Sequence, residues 1–530
     1  MKLARRNLPT GWVHLTLEDV AEIHDNLREP VNSSERAKRH GPYPYFGATG
    51  QVGWIDDYRQ DGEYILLGED GAPFFDWSKE KAYLVSGKCW VNNHAHVLKG
   101  NEGLCSNRYL LFALNQTDYR GYANGTTRLK LTQSAMRQIP INLAPLAEQH
   151  RIVAKIEELF SELDKGIENL NTAREQLKMY RQALLKHAFE GKLTAQWREE
   201  RRANSAHTVI PAQAGIHSDQ KLNPRLRGGD ELCGLDDQPL ETAAALLARI
   251  QTEREQRYQQ QLQQWQTTGG SKPKAPKPLP PLTAEELAKL PELPEGWGWV
   301  KLGELTWSVK DGPHFSPKYV EKGIPFISGG NIRPDGVDFD KAKHISRELH
   351  EELSKRCKPE IGDVLYTKGG TTGIARVNTF SVDFNVWVHV AVLKLTPVVK
   401  PFYLQHALNS SFCYSQSQKY THGVGNQDLG LTRMVNIVLA ICSIEEQEEV
   451  IRIVDDKMSV IDQLELTLTT SLQQAEALRQ SILKKAFSGQ LVAQDANDEP
   501  AAALLARIKA EKAQHTKKPK KSISRSKRNE

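Results

Sequence analysis

A fifteen-residue segment is written twice in this chain, and the repeat narrows the folds open to it. Residues 182–196 read QALLKHAFEGKLTAQ and residues 480–494 read QSILKKAFSGQLVAQ, with nine identities and an offset of 298. Solenoid repeats recur every 20–50 residues, so this spacing signals two copies of a whole module. From Ala147 into the first copy, as far as Phe189, proline is absent and Gly166 is the single glycine. Apolar or small residues recur at 152, 156, 159, 163, 167, 170, 173, 177, 180, 184 and 188, ten steps in 36 residues. That is the helical period. A helix of about 43 residues measures about 64 Å and needs a partner for its apolar stripe. Gly191 is placed to stop it, as Gly489 is in the second copy.

The rest of the plan is duplicated as well. Leu8-Pro-x-Gly-Trp12 returns as Leu293-Pro-x-Gly-Trp297, and His94-x-x-Val-Leu-Lys99 as His389-x-x-Val-Leu-Lys394. Glu148-Gln149 returns as Glu446-Gln447, and from there the offset stays at 298 to the end of the repeat. Constant helix length beside variable globular parts implies that the length itself matters. Glu241-Thr-Ala-Ala-Ala-Leu-Leu-Ala-Arg-Ile250 returns as Glu499-Pro-Ala-Ala-Ala-Leu-Leu-Ala-Arg-Ile508, but about 40 additional residues precede the first copy. That stretch has no apolar period and reads as an inserted, tolerated loop. Gly269 to Pro281 is a stiff, extended Pro/Lys linker.

The globular parts carry short β-rich runs such as Tyr64-Ile-Leu-Leu67, Tyr83-Leu-Val85 and His96-Val-Leu98 between Gly, Asn and Asp turns. At 530 residues the length prior is about three domains. No segment has the apolar run of a signal peptide or membrane span. Six scattered cysteines without Cys-x-x-Cys fit a reducing cytoplasm. The net charge of +5 is a tail effect: residues 509–530 hold nine Lys/Arg against two Glu, so the remainder sums to about −2.

Catalytic signatures are missing from the sequence. Lys368-Gly-Gly-Thr-Thr-Gly373 lacks phosphate-loop spacing and reads as a tight turn. No Asp/Asn-Pro-Pro-aromatic tetrad occurs, and Glu190-Gly-Lys192 becomes Ser488-Gly-Gln490 in the second copy, so it is a helix stop. Cys89, His94, His96 and Cys105 offer zinc-ligand types within 17 residues, but the second copy has no matching cysteines, which favours a polar strand or loop surface. No metal is expected.

Both modules have polar, glycine-punctuated loops suited to DNA. The first offers Asn92, Asn93 and His94, then Asn124, Thr126, Thr127, Arg128 and Lys130. The second offers Asn331 and Arg333, then Lys368, Thr371 and Thr372, then Lys419, His422, Asn426 and Gln427. Arg, Asn, Gln, His and Thr read base edges, and Lys mostly holds phosphates. Taken singly, each is an ordinary surface turn.

The duplicated order of these motifs resembles the specificity (S) subunits of type I restriction-modification systems. Tyr43-Pro-Tyr-Phe-Gly-Ala-Thr-Gly50 and Gly62-Glu-Tyr-Ile-Leu-Leu-Gly-Glu-Asp-Gly71 add to the likeness, and the insertion departs from it. The resemblance implies an α/β (α+β) fold with two target recognition domains, 1–145 and 291–442. Two long helices, in 146–197 and 443–495, would pack antiparallel as a coiled coil with pseudo-two-fold symmetry. Residues 198–240 would be the disordered insertion, 241–290 a helix and linker, and 496–530 a short helix and basic tail. It further implies a non-catalytic cytoplasmic DNA-binding subunit that recognises an asymmetric bipartite double-stranded site. Two modification (methyltransferase) subunits would bring S-adenosylmethionine, and restriction subunits would bring ATP- and Mg²⁺-dependent translocation and cleavage. This chain would hold no cofactor. The alternatives are a coiled-coil scaffold, a remnant inactivated by the insertion, and a self-sufficient DNA methyltransferase or nuclease.

Overall fold

The computed structural model describes residues 8–207, 240–275, 278–423 and 428–516. Contacts divide the chain into two compact units, Met1–Arg174 with Leu466–Glu530, and Glu175–Glu465. Neither is one sequence half, because both borders fall inside long helices, Leu146–Phe189 and Ile444–Ala486. Each unit therefore holds the start of one long helix and the end of the other.

In the first unit a six-stranded sheet runs in the order Ala21–Ile23, Ala95–Gly100, Gln60–Gly68, Ala82–Val91, Tyr43–Gly47 and Gly50–Ile55. All pairings are antiparallel except that of Tyr43–Gly47 with Ala82–Val91. Successive strand side chains point to opposite faces. Ile65 and Leu67 accordingly enter a large core with the helix Asn107–Gln116, while Leu66 joins Val85, Cys89 and Val97 on the other face. The second unit repeats this alternation. Its four-stranded antiparallel sheet runs Thr306–Asp311, Val390–Leu395, Val364–Thr367 and Ala375–Val377. Val364 and Tyr366 face one core and Leu365 the other. A three-stranded sheet of Lys343–Ile345, Ile324–Ile327 and Asn385–Val386 completes it.

The long helices form because their stripe finds a core at each end. In the first unit Ile152 and Ile156 share a core with Ile482, Leu483, Ala486 and Phe487. In the second, Leu185, Ala188 and Phe189 share one with Val450 and Val454. The start of one helix thus lies beside the end of the other, so the pair is antiparallel in both units. Ion pairs Asp164–Arg479 in the first unit and Arg181–Asp462 in the second have that antiparallel register.

The repeated fifteen-residue segment makes one kind of joint. Phe487 meets the ring of Tyr109 edge-on, centroids 5.1 Å apart, and Phe189 meets Tyr403 at the same separation. Gly489 and Gly191 have φ of +71° and +68°, the left-handed stop that glycine supplies without strain. A Cβ on Gly489 would lie 2.2 Å from Pro9, and one on Gly191 2.5 Å from Pro294. The Leu-Pro-x-Gly-Trp motif is therefore the seat of the helix tip. The Ala-Ala-Ala-Leu-Leu repeats dock beside it: Ala501 N–H donates to Gly11 O at 2.9 Å and Ala243 N–H to Gly296 O at 2.8 Å.

The first ten residues of the expected insertion 198–240 lie in the helix Ala195–His207. Arg198 anchors that helix by donating to Gly191 O at 2.6 Å and to Thr194 Oγ1 at 2.8 Å. Residues 208–239 and the tail beyond 516 lie outside the described residues, as does most of what was read there. Among the described residues no helix is long and apolar enough to cross a membrane.

Candidate nucleic-acid interface

In the first unit the strand end at Gly68, the turn at 92–94 and the loop 123–131 are tied together by backbone hydrogen bonds. Glu69 N–H donates to His94 O at 2.8 Å, Leu131 N–H to Glu69 O at 2.7 Å, and Asn92 N–H to Phe46 O at 3.1 Å. The second unit makes the same three bonds. Lys368 N–H donates to His389 O at 2.9 Å, Leu429 N–H to Lys368 O at 2.8 Å, and Trp387 N–H to Ile327 O at 2.8 Å. One loop cluster has been built twice from different side chains.

Two carboxylates organise the first cluster. Asp70 holds Arg128 Nε at 2.7 Å and faces His94 Nδ1 at 3.5 Å. Glu69 holds Arg28 at 2.5 Å and Lys130 at 3.3 Å. Arg128 and Lys130 keep more than half of their side-chain surface exposed, and Asn93, Asn124, Thr126 and Thr127 are exposed around them. Beneath, Asp25 accepts from Val97 N–H at 2.9 Å and lies 2.7 Å from His96 Nδ1. Burial pushes the Asp25 carboxyl up, but the His96 and Val97 hydrogen bonds and the nearby Arg28 outweigh it and leave its pKa below the usual range. The result is a rigid acidic floor under a cationic rim.

Several sequence candidates have other work. The Asn92 side chain is buried and accepts from His94 N–H, which shapes the turn. Asn331 is buried, accepting from Ser328 N–H and Oγ–H at 2.9 and 2.7 Å and donating to Asp338 O at 3.0 Å. Lys368 is 2% exposed, 2.6 Å from Asp428 and 3.5 Å from Asp311, so it is an internal ion-pair partner. Thr372 is buried and its carbonyl accepts from Gln418. Thr371 is exposed and bonds Gly329 O at 3.2 Å, which draws the segment 328–333 to the cluster. Arg333 is paired with Asp338 at 3.0 Å and half-exposed, and Lys419 and His422 are exposed. Asn426 and Gln427 lie outside the described residues.

Cys89, His96 and Cys105 are interior, not a polar surface. Burial pushes the Cys89 thiol up to about 11 and that of Cys105 to about 12, which disfavours the thiolate that a metal needs. Among the described residues no group of three His, Cys, Asp or Glu is placed to hold a metal ion. The acidic partners Glu69, Asp70, Asp311 and Asp428 were not singled out from sequence. Aligning the two copies carries the signal, since Lys130 falls opposite Asp428.

A family model described as "Type I restriction modification DNA specificity domain" matches this chain twice, at residues 9–172 and 294–474, more than half of its length. The chain is 24% identical over 537 aligned residues to the type I restriction enzyme EcoBI specificity subunit of Escherichia coli, covering 95% of this chain and 93% of that one. A shorter stretch of 144 residues is 39% identical to a Haemophilus influenzae protein named as a type I restriction enzyme specificity subunit, spanning 27% of this chain and 36% of that one. A solved structure from a study of complex assembly and conformational transition of the type I R-M system has the same fold. It aligns at a TM-score of 0.55 and 15% identity, over 92% of this chain and all of that one.

Proposed function

The chain belongs to the type I restriction-modification DNA specificity family, and from that premise we propose how it works. It is the DNA-recognition subunit of a type I restriction-modification system and not the catalyst. Each unit reads one half of a split DNA site with its loop cluster, and the two long helices set the spacing between the half-sites. The observation that carries this reading is the same triplet of backbone hydrogen bonds around two loop clusters of different side chains. Shared scaffolding with divergent rims is what two readers of unlike sequences need.

The fuller assembly rests on the same proposal. Two modification subunits dock on the long helices, where Met179, Tyr180, Val460 and Leu464 of the second unit leave large apolar surface exposed. Those subunits supply S-adenosylmethionine chemistry, and restriction subunits supply ATP and Mg²⁺ chemistry. Such a complex acts on cytoplasmic DNA.

Because the two rims differ, the site is asymmetric. Sequencing methylated DNA from cells with and without the gene is expected to show a gene-dependent motif of two unlike half-sites around a fixed gap. A continuous palindrome would overturn the reading.

A further inference from the structure

The loop clusters contain one ion pair at an equivalent place with its polarity reversed. In the first unit the inner partner is Glu69 and the outer one Lys130, 3.3 Å apart. In the second the inner partner is Lys368 and the outer one Asp428, at 2.6 Å. The equivalence rests on backbone, not on charge. Lys130 bridges Asp70 as Asp428 bridges Gly369. Leu131 and Leu429, next in the chain, donate to the carbonyls of Glu69 and Lys368.

The inner side chains are 13% and 3% exposed, the outer ones 54% and 39%. Fastening the loop requires opposite charges, and either arrangement of sign provides that. The sign that faces solvent is therefore free to serve another purpose. Lys130 carries three N–H donors and faces Glu69 as an ion pair at 3.3 Å. Among the described residues Asp428 accepts from Lys368 and from Gly430 N–H at 2.8 Å, about half of the roughly four lone-pair sites of a carboxylate. A carboxylate is repelled by phosphates, so the outward lone pairs of one on a DNA-facing loop suit a base amino group, of which cytosine N4 is the usual carboxylate partner.

We propose that this ion pair sets base preference: its outward cation in the first unit, Lys130 beside Arg128, reads the acceptor edge of guanine, and its outward anion in the second, Asp428, reads the amino group of cytosine. The inference rests on the DNA-reading role proposed above and assigns which positions discriminate.

The test uses the full chain co-expressed with its modification subunits and reads the methylated motif. The double variant Glu69→Lys with Lys130→Asp gives this pair of the first unit the polarity of the second, while losing the Glu69–Arg28 ion pair. It is expected to remove a guanine preference from one half-site, favour cytosine there, and leave the other half-site and the gap unchanged. Asp428→Asn keeps one acceptor oxygen, for Lys368 or for Gly430 N–H, and removes the outward charge. It is expected to lower discrimination at one base of the opposite half-site by roughly 10- to 100-fold. Methylation at the unaltered wild-type motif in both variants would overturn the inference and leave the pair as a fastener. If the double variant does not fold, Asp428→Asn decides alone. A wild-type chain that directs no split motif would instead overturn the DNA-reading role itself.

Discussion

In the first unit the indole N–H of Trp12 donates to Glu148 at 3.0 Å. In the second the equivalent carboxylate, Glu446, is taken by Thr194 Oγ–H at 2.6 Å and by the Arg198 guanidinium, and the buried Trp297 N–H has no partner among the described residues. The apolar parts of the two joints are nearly superimposable in role: Phe487 on Tyr109 and Phe189 on Tyr403, each with a glycine stop against a proline. Packing has stayed fixed between the copies while polar contacts have drifted. Shape holds the helix tips, and the polar groups only have to satisfy one another.

The strongest test of that contrast removes the packing. Phe487 and Phe189 are 8% and 7% exposed. Truncating a buried phenylalanine to alanine typically costs about 3–5 kcal/mol. Phe487→Ala and Phe189→Ala are each expected to destabilise their own unit by that amount, measured by urea denaturation. Unequal losses would show that the joints are not mechanically equivalent.

The polar contacts should respond unequally. Glu446 and Arg198 are a buried pair, with side chains 3% and 12% exposed. Glu446→Gln leaves the guanidinium uncompensated and is expected to cost about 3 kcal/mol in the second unit. Among the described residues Glu148 has no ion-pair partner, and burial pushes its carboxyl above the usual value despite the Trp12 hydrogen bond and the nearby Arg151. Glu148→Gln should therefore change stability by less than about 1 kcal/mol. The sign with pH follows from the raised value: the protonated acid suits the fold. Wild type thus loses stability relative to Glu148→Gln as pH rises above the ordinary value of 4.5. Denaturation of both proteins at several pH values checks this, and an opposite slope would refute it.

Why the joints were legible before the structure, and the loop clusters only partly, has a physical reason. Helix period and glycine stops are local signals, so the stripe from Ile152 to Ala188 announces its helix. The work of Glu-Gln is not local. Gln149 Nε2 donates to Leu104 O and Ala144 O at 2.9 and 3.0 Å while its Oε1 accepts from Ser106 N–H. Gln447 does the same with Val398, Cys442 and Lys400. The pair was visible as a motif, but two of the three partners of each glutamine lie 43 to 49 residues upstream. Lys368 shows the same limit: in a glycine-rich turn it reads as surface, yet Asp311 and Asp428 enclose it from distant parts of the chain. Asn331 reads as a base-contacting side chain and is spent on Ser328 and Asp338. Residue type tells what a side chain is able to bond, whereas burial and partner are set by tertiary contacts.

The smallest effects are expected along the long helices. In the second unit Arg181 reaches Asp462 at 2.6 Å and Glu465 at 3.2 Å. In the first Arg479 pairs with Asp164 and lies 4.6 Å from the centre of the Phe160 ring. The carboxylates are 39–64% exposed and the arginines 26–29%, and ion pairs open to solvent contribute about 0.2–1 kcal/mol. Arg181→Ala is expected to cost about 0.5 kcal/mol, and the loss should shrink at high salt as screening removes the Coulomb part. Arg479→Ala is expected to cost somewhat more, about 1 kcal/mol, and to retain part of that in salt, because the ring contact and the packed stem are not screened. Denaturation of the four combinations at low and high ionic strength separates the two cases. A salt-independent loss of several kcal/mol at Arg181 would mean that polar rungs hold the seam, and packing would no longer explain why the two copies tolerate different polar contacts.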